Sequence, residues 1–408
     1  MFDFPNLRFP SFEGSWEERK LEDIIEIQSG FAFKSEYFMG KGNKLVIPKN
    51  FTKYGYGNFD DNISKFSQEQ PPKQYKCKEG DLLILLTDLT PSCELLGKPL
   101  LLKKEDGEVW LNQRIIKLLI EDLKLKNWLF YYFQTEDYLK IIKETSTGST
   151  VRHSSNKIIN QLQIFIPNNS EEQQKISSFI TLLDSRIQTQ KKIIEGLQTS
   201  KLSLSNKIFA QKLRFKDCNG KTFPNWNYKT LGEVGEIING LTYSPNDINE
   251  SGVLVLRSSN VHNRALVLND NVFVRAINFN PVKENDILIC VRNGSKNLIG
   301  KNTIITKENE GLAFGAFMSV YRSDYNKFIY QWFDTNDYKE IVKKNLGATI
   351  NSINGSDLKK FKIPFPSLKE QKKIANFLKY LDDKINLEIE LLSKYENQKK
   401  YLLQNLFI

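Results

Sequence analysis

EQQKISSFITLLDSRI (172–187) returns 198 residues later as EQKKIANFLKYLDDKI (370–385), and this echo decides the fold. From it a heptad runs outward. In the first copy the a positions are Ile180, Ile187, Ile194, Lys201 and Ile208, and the d positions are Leu183, Gln190, Leu197 and Leu204. In the second copy the a positions are Leu378, Ile385, Leu392, Lys399 and Leu406, and the d positions are Leu381, Glu388, Tyr395 and Leu402. Apolar a and d residues sustained over about four heptads predict a coiled coil rather than two ordinary amphipathic surface helices. The polar interruptions fall on matching rungs, Gln190 with Glu388 and Lys201 with Lys399. Polar seam residues set register at some cost in stability. Proline marks each helix start. Pro167 precedes a capping box read as Ser170 with Gln173, and Pro364 and Pro366 precede one read as Ser367 with Glu370.

The duplication extends over the whole chain. LRFPSFEGSW (7–16) matches LRFKDCNGKTFPNW (213–226), and Trp16, Leu21, Ile27 and Gly30 match Trp226, Leu231, Ile237 and Gly240 at an offset of 210. KLVIPKNF matches VLVLRSSNV, pairing Asn50 with Asn260; KEGDLLILL (78–86) matches KENDILICV (283–291); TEDY (135–138) matches TNDY (335–338). Two copies suit a pseudo-symmetric protein in which one chain mimics a homodimer.

Each copy opens with short β-like runs and turns, carries one amphipathic helix near 128–143 or 328–344, and ends in the long helix. The fold class is therefore α+β: two pseudo-symmetric globules separated by an antiparallel two-helix coiled coil. The expected boundaries are 1–168 for the first globule with its N-terminal arm, 169–214 for the first long helix, 215–366 for the second globule and 367–408 for the second long helix. Closure about a two-fold axis puts one globule at each end of the rod. A seam of about 33 residues spans roughly 50 Å, or about 15 base pairs of duplex.

The 408 residues are 40% hydrophobic and 26% charged, an ordinary globular composition. No run of 18 apolar residues predicts a membrane span, and the N-terminus lacks the pattern of a signal peptide. Cys77, Cys93, Cys218 and Cys290 are widely spaced, which argues against a disulfide scaffold or zinc site and favours a reducing cytoplasm. The net charge of +10 makes an anionic partner plausible, with nucleic acid the commonest.

No catalytic constellation emerges. GSKNLIGKNT (294–303) misses the phosphate-loop spacing, and its counterpart ELLGKPLLL (94–102) reads as a strand-entry turn. His153 and His262 do not repeat between copies, and no carboxylate or cysteine cluster has metal-ligand spacing. No glycine-rich dinucleotide motif and no adenine-methyltransferase motif is present. No catalytic or metal-binding residue is expected, and an enzyme with an unfamiliar site is disfavoured.

This layout resembles the specificity (S) subunits of type I restriction–modification enzymes, over nearly all of the chain. The duplicated proline–EQ–helix segment, the strand entries GDLLILL and NDILICV, and the LRF…W openings carry the resemblance. It implies a non-catalytic DNA-binding subunit with two target recognition domains, each reading half of a bipartite target. It also implies a coiled coil that sets the gap and docks two methyltransferase (M) subunits, with motor–nuclease (R) subunits joining through them. This chain then needs no cofactor of its own; S-adenosylmethionine, ATP and magnesium belong to the partner subunits. The competing reading is a coiled-coil protein scaffold that reads no DNA.

Base reading needs donors and acceptors at the groove edge and cations on the phosphates. In the first globule the candidates are Lys34, Lys49, Asn50, Lys53, Tyr54, Thr87, Asp88, Arg114, Arg152 and His153. In the second they are Arg257, Ser258, Asn260, His262, Asn263 and Arg264 from LRSSNVHNR, Arg292, Asn293, Ser295, Lys296 and Asn297 from VRNGSKN, and Asn351. The bland alternative is a set of solvated loops with turn-forming asparagines. RSSNVHNR facing PKNFTKYG predicts unlike half-sites and an asymmetric target. The high aromatic content reads as core packing rather than base stacking.

Overall fold

The computed structural model describes residues 4–60, 62–88, 93–148, 151–275, 278–346 and 351–408. The chain divides into two compact units: Met1–Gln190 with Leu391–Ile408, and Lys191–Glu390. Each unit holds one globule and part of both long helices, Ser170–Phe209 and Leu368–Asn405.

The globules repeat one plan. In the first, a four-stranded antiparallel sheet orders Glu26–Ser29, Ile115–Leu119, Leu82–Leu85 and Pro99–Leu101. In the second, Glu236–Asn239, Met318–Arg322, Ile287–Cys290 and Asn302–Ile304 take the same order. LLIL and ILIC are buried along their whole length, as continuous apolar runs require. The turn before each is closed by an aspartate: Asp81 accepts from the Lys78 amide at 2.9 Å, and Asp286 from the Lys283 amide at 2.7 Å. A second sheet flanks each first sheet and contains a parallel pair, Val109–Leu111 beside Asn43–Val46 and Ala313–Phe314 beside Ile248–Leu256. Where the chain enters and leaves each globule, Glu17–Lys20 pairs with Gln163–Ile166 and Asn227–Thr230 with Lys362–Phe365.

The single amphipathic helix expected in each copy is two helices: Leu123–Tyr132 and Glu136–Thr145, then Asn326–Trp332 and Asn336–Lys344. Thr135 and Thr335 make the break, each with extended backbone and a hydroxyl accepting from the Tyr138 or Tyr338 amide.

Within each unit the two long helices lie antiparallel. Ile176 and Ile180 share a core with Leu402 and Leu406 in the first unit, and Ile208 with Ile374 and Leu378 in the second. Every apolar seam position is buried or half-buried. The lysines on the seam are paired. Lys399 lies 2.7 Å from Asp184 in the first unit, and Lys201 lies 2.6 Å from Asp382 in the second. These are the same two heptad positions with the helices exchanged.

The first capping box is displaced by one residue. Asn169, not Ser170, caps the first helix by accepting from the Glu171 amide at 2.8 Å. The second helix is capped at Ser367, but Glu370 does not turn back to it. Instead Glu370, fully buried, accepts from Arg214 and from the Trp226 indole at 2.8 and 2.9 Å. Glu172 receives Arg8 at 2.7 Å and Trp16 at 3.4 Å in the same way. The LRF…W openings thus tie the start of each globule to the start of its helix.

Candidate nucleic-acid interface

The central strands of the two sheets end at equivalent backbone positions. In the first unit the Leu86 amide donates to the Arg114 carbonyl at 3.0 Å, and the Ser154 amide to the Leu86 carbonyl at 2.9 Å. In the second the Val291 amide donates to the Phe317 carbonyl at 3.0 Å, and the Ile353 amide to the Val291 carbonyl at 2.9 Å. The same three segments therefore meet twice.

The side chains they carry differ. The first unit gathers Thr87, Asp88, Arg114, Arg152 and His153. Arg152 pairs with Asp88 and His153 with Thr87 across a two-residue antiparallel ladder, and the Thr87 hydroxyl lies 3.0 Å from His153 Nδ1. Thr87 and Asp88 are buried, and Asp88 accepts from the Leu95 amide at 2.8 Å. Arg152 and His153 are exposed and Arg114 is half-buried. The second unit gathers Ser258, Arg292, Asn293 and Asn351. Asn293 donates to the Ser258 hydroxyl at 3.0 Å, Arg292 bridges to Ser352, and Asn351 donates to the Gly294 carbonyl at 2.9 Å. Arg292 is exposed and lies over the Phe317 ring, 5.8 Å from its centroid. Phe317 is 56% exposed. It stands where Arg114 stands in the first unit, an equivalence no sequence pattern exposed.

Other candidates are committed to architecture. Asn50 and Asn260 are fully buried. Asn50 accepts from the Ile47 amide at 2.7 Å and donates to the Asn58 carbonyl at 2.8 Å. Asn260 accepts from the Arg257 amide at 2.9 Å and donates to the Val267 carbonyl at 3.2 Å. Both hold turns. Asn263 and Arg264, at φ of 47° and 64°, are the two turn residues between paired Val261–His262 and Ala265–Leu266. Arg264 then folds inward onto Asn302 at 2.9 Å, the Tyr330 carbonyl at 2.7 Å and the Tyr330 ring at 3.8 Å. Asp334 beside it is half-buried, and partial burial opposes ionisation, but the Arg264 and Lys201 cations outweigh that and hold its carboxyl below the ordinary range. Arg257 is paired with Asp270 at 2.8 Å. His262 is exposed, with Nε2 2.7 Å from the Ser259 carbonyl.

Lys34 and Lys53 are exposed and paired with Glu36 and Glu94, and the Tyr54 hydroxyl donates to Glu396 at 2.9 Å. Lys49, Ser295, Lys296 and Asn297 are exposed. Asn263, Arg264, Lys296 and Asn297 line a cavity of about 920 Å3 against the long helices of their unit, and Lys53 and Tyr54 line its counterpart. Among the described residues no group of histidines, cysteines and carboxylates could hold a metal ion. No helix among them is long and apolar enough to cross a membrane.

The chain thus builds one α+β globule twice, each time against segments of both long helices, with unlike polar side chains on one repeated backbone frame. The model of the type I restriction modification DNA specificity domain matches residues 13–199 and again 224–397, so the chain belongs to that family. It is 24% identical over 426 residues to the type I restriction enzyme MjaVIII specificity subunit of Methanocaldococcus jannaschii, covering 97% of this chain and 92% of that one. It is 31% identical over 173 residues to the EcoKI specificity subunit of Escherichia coli, covering 39% and 36%. The fold matches the crystal structure of a type I S subunit from M. genitalium with a TM-score of 0.57 at 17% identity, over 99% of both chains. It is a DNA-recognition subunit, and within the family the specificity subunit is the non-catalytic component. Nothing in these likenesses favours the scaffold reading.

Proposed function

We propose that each unit reads one half of a split, asymmetric DNA target through the end of its central sheet. In the first unit the reading groups are Arg114, Arg152 and His153, with Thr87 and Asp88 ordering the ladder behind them. In the second they are Arg292, Asn293, Ser258 and Asn351, with Phe317 beside Arg292. The observation that carries this reading is the repeated backbone frame with replaced side chains: a recognition head keeps its frame and changes its donors. Lys34, Lys49, Lys53, Lys296 and Asn297 supply phosphate contacts that hold the register.

The recognition domains run to residue 168 and from 215 to 366, and the helices 169–214 and 367–408 form the spacer. The spacer fixes the gap between half-sites and docks two methyltransferase subunits, through which motor–nuclease subunits join. S-adenosylmethionine, ATP and magnesium act on those partners, in the cytoplasm. One solved relative, 15% identical with a TM-score of 0.54, is described under complex assembly and conformational transition of the type I system.

Charge reversal tests the reading. Arg292→Glu in the chain co-expressed with its methyltransferase partner is expected to abolish target methylation while the complex still co-purifies. Unchanged methylation with the Arg292→Glu and Arg114→Glu variants would overturn it.

A further inference from the structure

In the first unit the long helices and the globule line a cavity of about 700 Å3. Six lysines face it: Lys53, Lys98, Lys140, Lys143, Lys399 and Lys400. Four already have carboxylates. Lys53 lies 2.8 Å from Glu94, Lys400 2.9 Å from Glu136, Lys140 4.0 Å from Glu144, and Lys399 2.7 Å from Asp184. The remaining carboxylate, Glu396, accepts from the Tyr54 hydroxyl at 2.9 Å. Among the described residues Lys98 and Lys143 have no ion-pair partner.

Lys98 is held in place by its backbone. Gly97 before it has φ +79°, and a Cβ there would come within 2.9 Å of Ile142. The Gly97 amide donates to the Leu85 carbonyl at 2.8 Å, and its carbonyl accepts from the Tyr138 hydroxyl at 3.1 Å. Burial, then the Lys399 and Lys143 cations, pull the Lys98 ammonium down to about 8, and Glu136 does not offset them.

The second unit builds the same turn. Gly300 has φ +82° and its carbonyl accepts from Tyr338 at 2.9 Å. There Lys301 donates to the Ser258 carbonyl at 3.4 Å. Asp334, one residue before the TNDY that matches TEDY, takes the place of Gln134 and pairs with Lys201 at 2.8 Å. Two carboxylates, Asp334 and Asp382, line the second cavity, and four, Glu94, Glu136, Glu144 and Glu396, line the first.

We propose that the first unit's cavity binds a phosphate group, with Lys98 and Lys143 as its charged partners. Two sources share this chemistry: a backbone phosphate of duplex DNA and a free phosphate. Only the first source rests on the DNA-recognition reading.

The test is trace acetylation of the full chain, read lysine by lysine by mass spectrometry. It is run with sodium phosphate, with a random duplex, and with sodium chloride at matched ionic strength; duplex binding is followed by anisotropy in the same samples. Phosphate is expected to slow labelling of Lys98 several-fold. Lys143→Met should remove that protection and Lys143→Arg retain it. Protection by the duplex as well assigns the site to the DNA backbone; protection by phosphate alone assigns it to a soluble phosphate. Lys98 labelled equally under all conditions, with the duplex bound, would overturn the proposal and leave DNA recognition standing. A duplex that fails to bind would count against DNA recognition, and the phosphate arm alone would then decide the site.

Discussion

Replacing Lys399 by Met probes the coil where it is most exposed to electrostatic failure. Lys399 is 6% and Asp184 3% exposed, and they lie 2.7 Å apart. Without the ammonium, Asp184 keeps only neutral donors: the Tyr131 hydroxyl at 3.1 Å and the Tyr56 hydroxyl at 3.3 Å. Gln134 also loses its 3.0 Å donor. Leaving one buried charge unpaired costs about 3–5 kcal/mol. Two neutral hydrogen bonds of about 1 kcal/mol each keep the loss near the lower bound, about 3 kcal/mol. Removing both charges with Asp184→Leu and Lys399→Met together should return stability to within about 2 kcal/mol of the parent, because no buried ion remains. Hydrogen exchange resolved by peptide is the assay, since a two-unit chain need not unfold in one step. Protection in the first unit should fall by roughly two orders of magnitude in the single variant. A single-variant loss below about 1 kcal/mol, or losses that simply add in the double, would refute the view that this pair specifies the seam.

Three further outcomes follow from the same structure. Inserting seven residues at matched points in both long helices lengthens the spacer by about 10 Å, so the methylated motif's gap should grow by about 3 base pairs with its half-sites unchanged. Asp334 is held below the ordinary carboxylate range in the folded chain, so its contribution is present above about pH 4 and lost as pH falls further. Asp334→Asn should therefore destabilise the second unit at neutral pH by more than at pH 3 in urea titrations; an equal loss at both contradicts the pairing. Burial pushes the Cys77 thiol up to about 12 and Cys290 to about 11, whereas Cys218 is exposed. Alkylation of the folded chain at pH 8 should modify Cys218 and leave Cys77 and Cys290 until urea unfolds it, and rapid loss of all thiols would contradict the buried sheets.

The sequence made the architecture legible because duplication and heptad spacing are carried by apolar residues, whose periods survive drift. It hid the partners of the seam lysines because Asp184 and Asp382 lie off the a and d positions. Only once the helices are paired does Lys201 meet Asp382 and Lys399 meet Asp184. The same lesson applies to Asn50 and Asn260, whose side chains are buried and hold turns. They match between copies, which is the mark of a shared turn; groups that read different bases should diverge, as Thr87 and Arg292 do. Phe317 went unnoticed because an exposed aromatic has no sequence signature apart from its neighbours, and only the backbone equivalence with Arg114 places it at the end of the central sheet. The amphipathic stretch near 128–143 read as one helix because its apolar spacing continues across the cap at Thr135.

Mapping N6-methyladenine across a genome after co-expressing this chain with its methyltransferase partner is the most direct trial. Two unlike heads on one spacer predict a single motif of two different half-sequences around a constant unread gap, its methylation abolished when either Arg292 or Arg114 is reversed. A palindromic motif, an unbroken one, or methylation indifferent to both substitutions would contradict it.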